Sequence, residues 1–209
     1  CKPLHTPELM NLGSINPEAG TFDMKEIDYD QPATIRNKYL TNEYKKYPLG
    51  IYLDEVVDPH NVGAIMRSAY FLGAHFLILS HRNCAPLSPV VSKVSSGTME
   101  LLPIYKGDKP LQFFEKSKEE GGWTFVTSHV QNSPKENHLE LNDLSGMVKE
   151  LPVILVVGNE GNGARTNILN RSDFTVEIPF GRAESKVHNT IDSLNVSVAA
   201  ALLINKILN

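Results

Sequence analysis

The chain has 209 residues, 41% hydrophobic and 21% charged, with a formal net charge of −4 at neutral pH. That length supports a sizeable core in one domain with extensions. No apolar run reaches the roughly 20 residues of a membrane helix. The acidic balance argues against a broadly basic nucleic-acid surface and leaves only local clusters at Lys45-Lys46, His81-Arg82 and Arg182 with Lys186. The two cysteines, Cys1 and Cys84, give neither a disulfide framework nor a metal-ligand spacing, so free thiols and no bound metal are expected.

Residues 1–48 are polar and rich in Pro, Asn and charge, and they read as a linker or N-terminal arm rather than a core element. The first residue is Cys rather than Met, so a preceding segment is expected. From residue 49 the texture changes, and 49–209 reads as the folded domain. Gly50-Ile51-Tyr52-Leu53 is a buried-strand candidate closed by Asp58-Pro59. Asn61 is placed as a helix N-cap, with Val62, Ile65, Met66, Ala69 and Leu72 at helical spacing and Gly73 as the stop. A strand at 76–79, a helix at 88–94 and a strand at 101–105 follow.

An amphipathic helix is expected over 109–120, stopped by Gly121-Gly122, and a strand over 123–127. Residues 130–150 read as a polar connection with a weak strand. The remaining expectations are strands at 153–157 and 175–178, a short helix at 164–169 and a closing helix at 194–208. Strands alternating with helices imply an α/β fold with a Rossmann-like parallel sheet covered on both faces. Ligands in such sheets bind beyond the carboxyl ends of the strands, where Thr127-Ser128, Gly158–163 and Pro179 fall. The glycine-rich segment 158–163 is neither G-x-G-x-x-G nor a P-loop, which argues against a phosphate cradle.

Five segments carry a resemblance: Asn61-Val62-Gly63-Ala64-Ile65-Met66-Arg67, the stretch 92–103, Val156-Val157-Gly158-Asn159-Glu160-Gly161-Asn162-Gly163, Glu177-Ile178-Pro179-Phe180-Gly181, and Ser193-Leu194-Asn195 opening an Ala/Val-rich helix. Together they resemble the SPOUT class of RNA methyltransferases, and within it the TrmH-like ribose 2′-O-methyltransferases, across residues 49–209. The resemblance implies a C-terminal trefoil knot, which periodicity alone could not predict. It also implies S-adenosylmethionine as cofactor and a homodimer. It is strongest to organellar, mitochondrial enzymes acting on a guanosine of large-subunit rRNA, in a family where a separate RNA-binding domain often precedes the catalytic one. Alternatives are a tRNA 2′-O-methyltransferase, or a non-catalytic RNA-binding ribosome-assembly factor on the same fold.

By the same resemblance, backbone around Thr127, Gly158, Ile178 and Leu194 would hold the cofactor. Ile178, Phe180 and Leu194 would supply apolar walls, and Ser193 a hydrogen bond. Arg67 would be the central catalytic residue. A protonated guanidinium would stabilise alkoxide charge or hold the phosphate beside the ribose, and the acceptor of the hydroxyl proton stays open between Arg67 and Glu160. Asn195 and Asn61 would contact the acceptor ribose, beyond their capping roles. Glu160 would orient Arg67 or serve as base. Ser96-Gly97 would lie near the target base. The loop at 181–192 is longer than the family's usual link, and Arg182 on it is a candidate RNA contact. His60 and His188 read as solvated loop residues.

Overall fold

Residues alternate in facing along Leu49–Leu53, strand β4: Leu49, Ile51 and Leu53 enter one apolar cluster, Tyr52 the other. The period of two is that of a strand buried on both faces. The computed structural model describes residues 6–28, 30–42, 46–130, 136–181 and 193–209. The other strands are β1 (Glu8–Asn16), β2 (Thr21–Glu26), β3 (Ala33–Lys38), β5 (Phe76–Ser80), β6 (Ile104–Gly107), β7 (Thr124–Ser128), β8 (His138–Leu139), β9 (Val153–Val157) and β10 (Phe174–Val176). The helices are α1 (Pro59–Leu72), α2 (Pro89–Val94), α3 (Pro110–Gly121), α4 (Thr166–Leu169) and α5 (Val196–Leu208).

These strands form one sheet in the order β3-β2-β1-β6-β5-β4-β9-β7-β10-β8. All neighbours from β1 to β8 in that order are parallel, and β2 and β3 add antiparallel strands at one edge. The mixed α/β sheet with mostly parallel strands is the expected fold class. The path of 182–192, on which the implied knot depends, lies outside the described residues.

Helices cover both faces. Val62, Ile65, Met66 and Ala69 of α1 and Ala200, Leu203, Ile204 and Ile207 of α5 bury against Ile51, Leu77 and Leu155. Phe113 and Phe114 of α3, with Trp123, Phe125 and Ile168, bury against Tyr52, Phe76 and Ile154 on the other face. Successive crossovers place β5 on one side of β4 and β9 on the other, so the strand order reverses between them. That crevice is where doubly wound sheets bind ligands.

The expected linker is instead part of the sheet. Leu9, Leu12, Phe22 and Met24 are buried in the α3-side core, and β1 pairs with β6 through Glu8↔Lys106 and Leu9↔Gly107. Bulges between Leu9 and Asn11 and between Leu12 and Ile15 break the alternation that would have marked β1. Strand β6 begins at Ile104 rather than 101, because Thr98–Glu100 is a 3-10 turn and Leu101 points to solvent. Among the described residues no helix is long and apolar enough to cross a membrane.

Candidate functional site

Asp58, not Asn61, caps α1: its carboxylate accepts from the His60 amide at 2.8 Å, with Pro59 in the first helical position. Asn61 therefore sits inside the first turn, buried, with its side chain free for another partner. Asn195 does cap its helix as expected. Its Oδ1 accepts from the Ser197 amide (2.9 Å), the Val198 amide (3.4 Å) and the Ser197 hydroxyl (2.6 Å).

Those bonds fix which end of the Asn195 amide faces inward. Asn195 Nδ2 donates to Asn61 Oδ1 at 3.1 Å. Asn61 Nδ2 in turn donates to Glu160 Oε1. Three predicted catalytic residues from three distant segments thus form one directional chain, from the amides of α5 to a carboxylate.

Glu160 stands at the tip of a closed loop. Asn159 and Gly163 exchange backbone bonds of 3.0 and 2.8 Å, and the Gly161 amide donates to Asn159 Oδ1 at 2.9 Å. Gly158 is required by the fold-back: a Cβ there would lie 2.1 Å from the Ala164 nitrogen. Gly163 takes φ +66°, left-handed, to close the loop.

Arg67 is exposed on α1, and none of the ion pairs among the described residues includes it. It shares an outward stripe with His60, Ala64 and Phe71 at helical spacing. The guanidinium faces solvent, where a polyanionic ligand can reach it. His60 is exposed as expected, with Nδ1 3.2 Å from Asp58, but it stands in the first turn of α1 rather than in a loop.

The remaining candidates divide. Thr127 is fully buried in β7, in register with Thr175 on one side and Val156 on the other, and its hydroxyl is engaged with Ser172, so a ligand can meet only the chain beyond it. Ile178 is partly buried against the α5-side core, whereas Phe180 and Leu194 are half-exposed and present apolar surface. Ser193 is exposed beside Leu194. Ser96 and Gly97 take consecutive left-handed conformations, φ +53° and +83°, at the exposed end of α2. Glycine takes this region freely, whereas Ser96 is strained there, and strain of that kind is concentrated at functional loops. Arg182 and His188 lie outside the described residues.

Sequence reasoning missed a second cluster. Asp54, just past β4, is fully buried and takes a fork from Arg165: Nη2 to Oδ1 at 2.5 Å, Nε at 3.1 and 3.2 Å, and the Arg165 amide at 3.1 Å. Hydrogen bonding to Asp54 holds the Arg165 guanidinium above its usual range. Glu55 is left-handed at φ +58° and lies 3.3 Å from Arg165 Nη1. Only an acidic pair ending a buried strand hinted at this. Elsewhere, burial pushes the Cys84 thiol up to about 11, so it is a poor nucleophile. Glu8, His81 and Asp108 bring possible ligand atoms within 4.8 Å of one another where β1 joins the sheet, on elements other than those of the Asn61 chain.

Comparisons with known proteins bear on the family and the fold. The SpoU rRNA Methylase family matches residues 48–205. The Saccharomyces cerevisiae protein "rRNA methyltransferase 1, mitochondrial" is 52% identical over 99% of this chain and 53% of its own length. The chain therefore spans about half of that relative. The Pseudomonas putida "23S rRNA (guanosine-2′-O-)-methyltransferase RlmB" is 34% identical over 74% of this chain and 56% of the relative. Among solved structures, the SpoU methyltransferase AviRb from Streptomyces viridochromogenes in complex with AdoMet superposes with a TM-score of 0.62 at 26% identity, covering 77% of this chain and 59% of that one. A family match over residues 48–205, a span that includes Asn61, Glu160 and Asn195, leads to one conclusion: this chain belongs to the SpoU rRNA methylase family.

Proposed function

We propose that the chain is an S-adenosylmethionine-dependent methyltransferase that methylates the ribose 2′-hydroxyl of a guanosine in mitochondrial large-subunit rRNA. The observation that carries this reading is the hydrogen-bonded chain Asn195–Asn61–Glu160, assembled next to the helix that presents Arg67. The names of the yeast and RlmB relatives support the substrate, the guanosine and the compartment, and AviRb with its bound AdoMet supports the cofactor.

When bound, the cofactor supplies an electrophilic sulfonium methyl. Phe180 and Leu194 offer half-exposed apolar surface suited to its adenine, and Ile178 backs them from the core. Backbone at Gly158 and at the end of β7 after Thr127 offers polar contacts, and Ser193 a hydroxyl. The Arg67 guanidinium holds the phosphate beside the target ribose or stabilises developing alkoxide charge. Asn61 and Asn195 fix the acceptor ribose. Glu160 has one oxygen engaged by Asn61, and the other is available to accept the hydroxyl proton. Ser96 and Gly97 face the target base, and Arg182 contacts RNA.

The enzyme acts as a homodimer in this reading. Helices α1 and α5 pack side by side. Each turns apolar side chains outward, Tyr70 and Phe71 from one and Val198 and Leu202 from the other, with Phe71 86% exposed. A second copy is the natural cover for that face. An intact side-chain chain weighs against the non-catalytic assembly-factor reading, which has no need of it.

Calorimetric titration with S-adenosylmethionine, followed by transfer of labelled methyl to protein-free large-subunit rRNA, tests the proposal. One site per chain and label recovered as 2′-O-methylguanosine are expected. A folded chain that binds no cofactor overturns it.

A further inference from the structure

We infer that Asp54, Glu55 and Arg165 form a clasp that positions Glu160 for catalysis, a role distinct from that of any residue touching substrate. The inference rests on the methyltransferase reading.

The loop carrying Glu160 has two feet, and both are fastened to the two residues after β4. At the first foot, Asn159 Nδ2 donates to the Glu55 carbonyl at 3.0 Å. At the second, Arg165 forks onto the Asp54 carboxylate, donates its own amide to Asp54 Oδ2 and reaches Glu55 at 3.3 Å. The loop between them is closed on itself by Asn159 and Gly163. Glu160, the residue after the first foot, then reaches Asn61 on α1.

Glu55 is held in its left-handed state from three sides. Its amide donates to Ser80 Oγ at 3.0 Å, its carbonyl accepts from Asn159, and its carboxylate accepts from Asn83 Nδ2 at 3.1 Å. A side-chain-bearing residue in this region is strained, and it persists only where its surroundings over-determine it. Turned this way, the Glu55 carbonyl meets Asn159. The Asp54 carboxylate is fully buried, so it is stable only while the fork stays in place. A lysine can keep the charge but not the two-pronged geometry. Three constraints therefore converge on one loop, and its product is the placement of a single carboxylate opposite Asn61. Sub-ångström placement of this kind is what a reacting carboxylate needs.

The test is a double-mutant cycle on methyl transfer to large-subunit rRNA, using Arg165→Lys, Glu160→Gln and the double variant, with KM and kcat measured separately. Thermal melting checks folding. The expected result is a folded R165K enzyme with kcat lowered at least ten-fold and little change in KM for RNA. Adding E160Q to R165K is expected to cost less than three-fold, although E160Q alone costs far more. Asn159→Ala releases the other foot and is expected to behave in the same way, so it serves if R165K does not fold. Wild-type kcat in either folded variant, or losses that multiply independently, overturns the clasp while leaving the methyltransferase reading standing. A wild-type chain that neither binds cofactor nor transfers methyl overturns both.

Discussion

Asn195 Nδ2 lies 3.1 Å from Asn61 Oδ1, joining residues 134 positions apart in the chain. Because Asn195 Oδ1 is held by the first amides of α5, that contact has one polarity only, and Asn61 must present its own NH2 to Glu160.

Asn195→Asp and Asn195→Ala separate capping from catalysis. Aspartate caps a helix as well as asparagine, but it cannot donate to Asn61. N195D is expected to melt with wild type and to lose most methyl transfer. N195A is expected to lose activity and also about 1 kcal/mol of stability, a melting shift of roughly 2–4 °C for a chain of this size. Wild-type kcat in N195D would remove the bridge from the mechanism.

Arg67→Ala is expected to leave stability within about 0.5 kcal/mol, since the side chain is exposed and alanine is a strong helix former. Methyl transfer should fall at least 100-fold (about 2.7 kcal/mol in the barrier). A folded R67A enzyme with full activity refutes its assignment.

Gly158→Ala puts a methyl against the Ala164 backbone at 2.1 Å, with no flexible atom to give way. Overpacking of this kind costs about 1–3 kcal/mol. Cofactor affinity measured by calorimetry should fall with it, because the loop must move. Unchanged affinity in a stable G158A chain would place the cofactor elsewhere.

Phe71→Asp with Val198→Asp tests the dimer. Both side chains already face solvent, so the protomer should keep its fold. Sedimentation is expected to show a dimer for wild type and a monomer for the double variant. A monomeric wild type disposes of the proposed interface.

Stability should fall on the alkaline side. Burial raises the Cys84 thiol from its usual 9.0 to about 11 and also raises the phenols of Tyr39, Tyr52 and Tyr105. The folded state binds these protons more tightly than the unfolded state. Their contribution is therefore complete below pH 9 and is lost as pH rises through the folded values, up to about 11 for Cys84. Melting temperature should be level from pH 7 to about 9 and decline above it, less steeply in Cys84→Ser. A level curve to pH 11 in wild type would contradict the burial of these groups.

Much of the fold was readable because its signals are local. Val153–Val157 is an unbroken β-branched and leucine run, and it is β9 to the residue. Gly73 ends α1 in the left-handed region and α2 ends at Val94, both at the expected places. The N-terminal strands were missed because two bulges shift the facing of β1, so its apolar residues fall out of period. Asp58-Pro59 was read as closing a strand, although an acid before a first-turn proline is equally a helix start. The candidate residues Asn61, Glu160 and Asn195 stood out through their segments. Asp54 and Arg165 did not, since their meaning lies in a pairing across 111 residues that no spacing rule encodes.

The position of Asn195 at the head of α5 has a consequence for biogenesis. Every other member of the Asn195–Asn61–Glu160 chain can be in place while the last helix is still undocked, yet Asn61 then lacks the donor that fixes its orientation. Contacts this distant in sequence form late, after the local elements. A nascent or partly folded chain would therefore be silent, and catalytic competence would report that the final helix had seated.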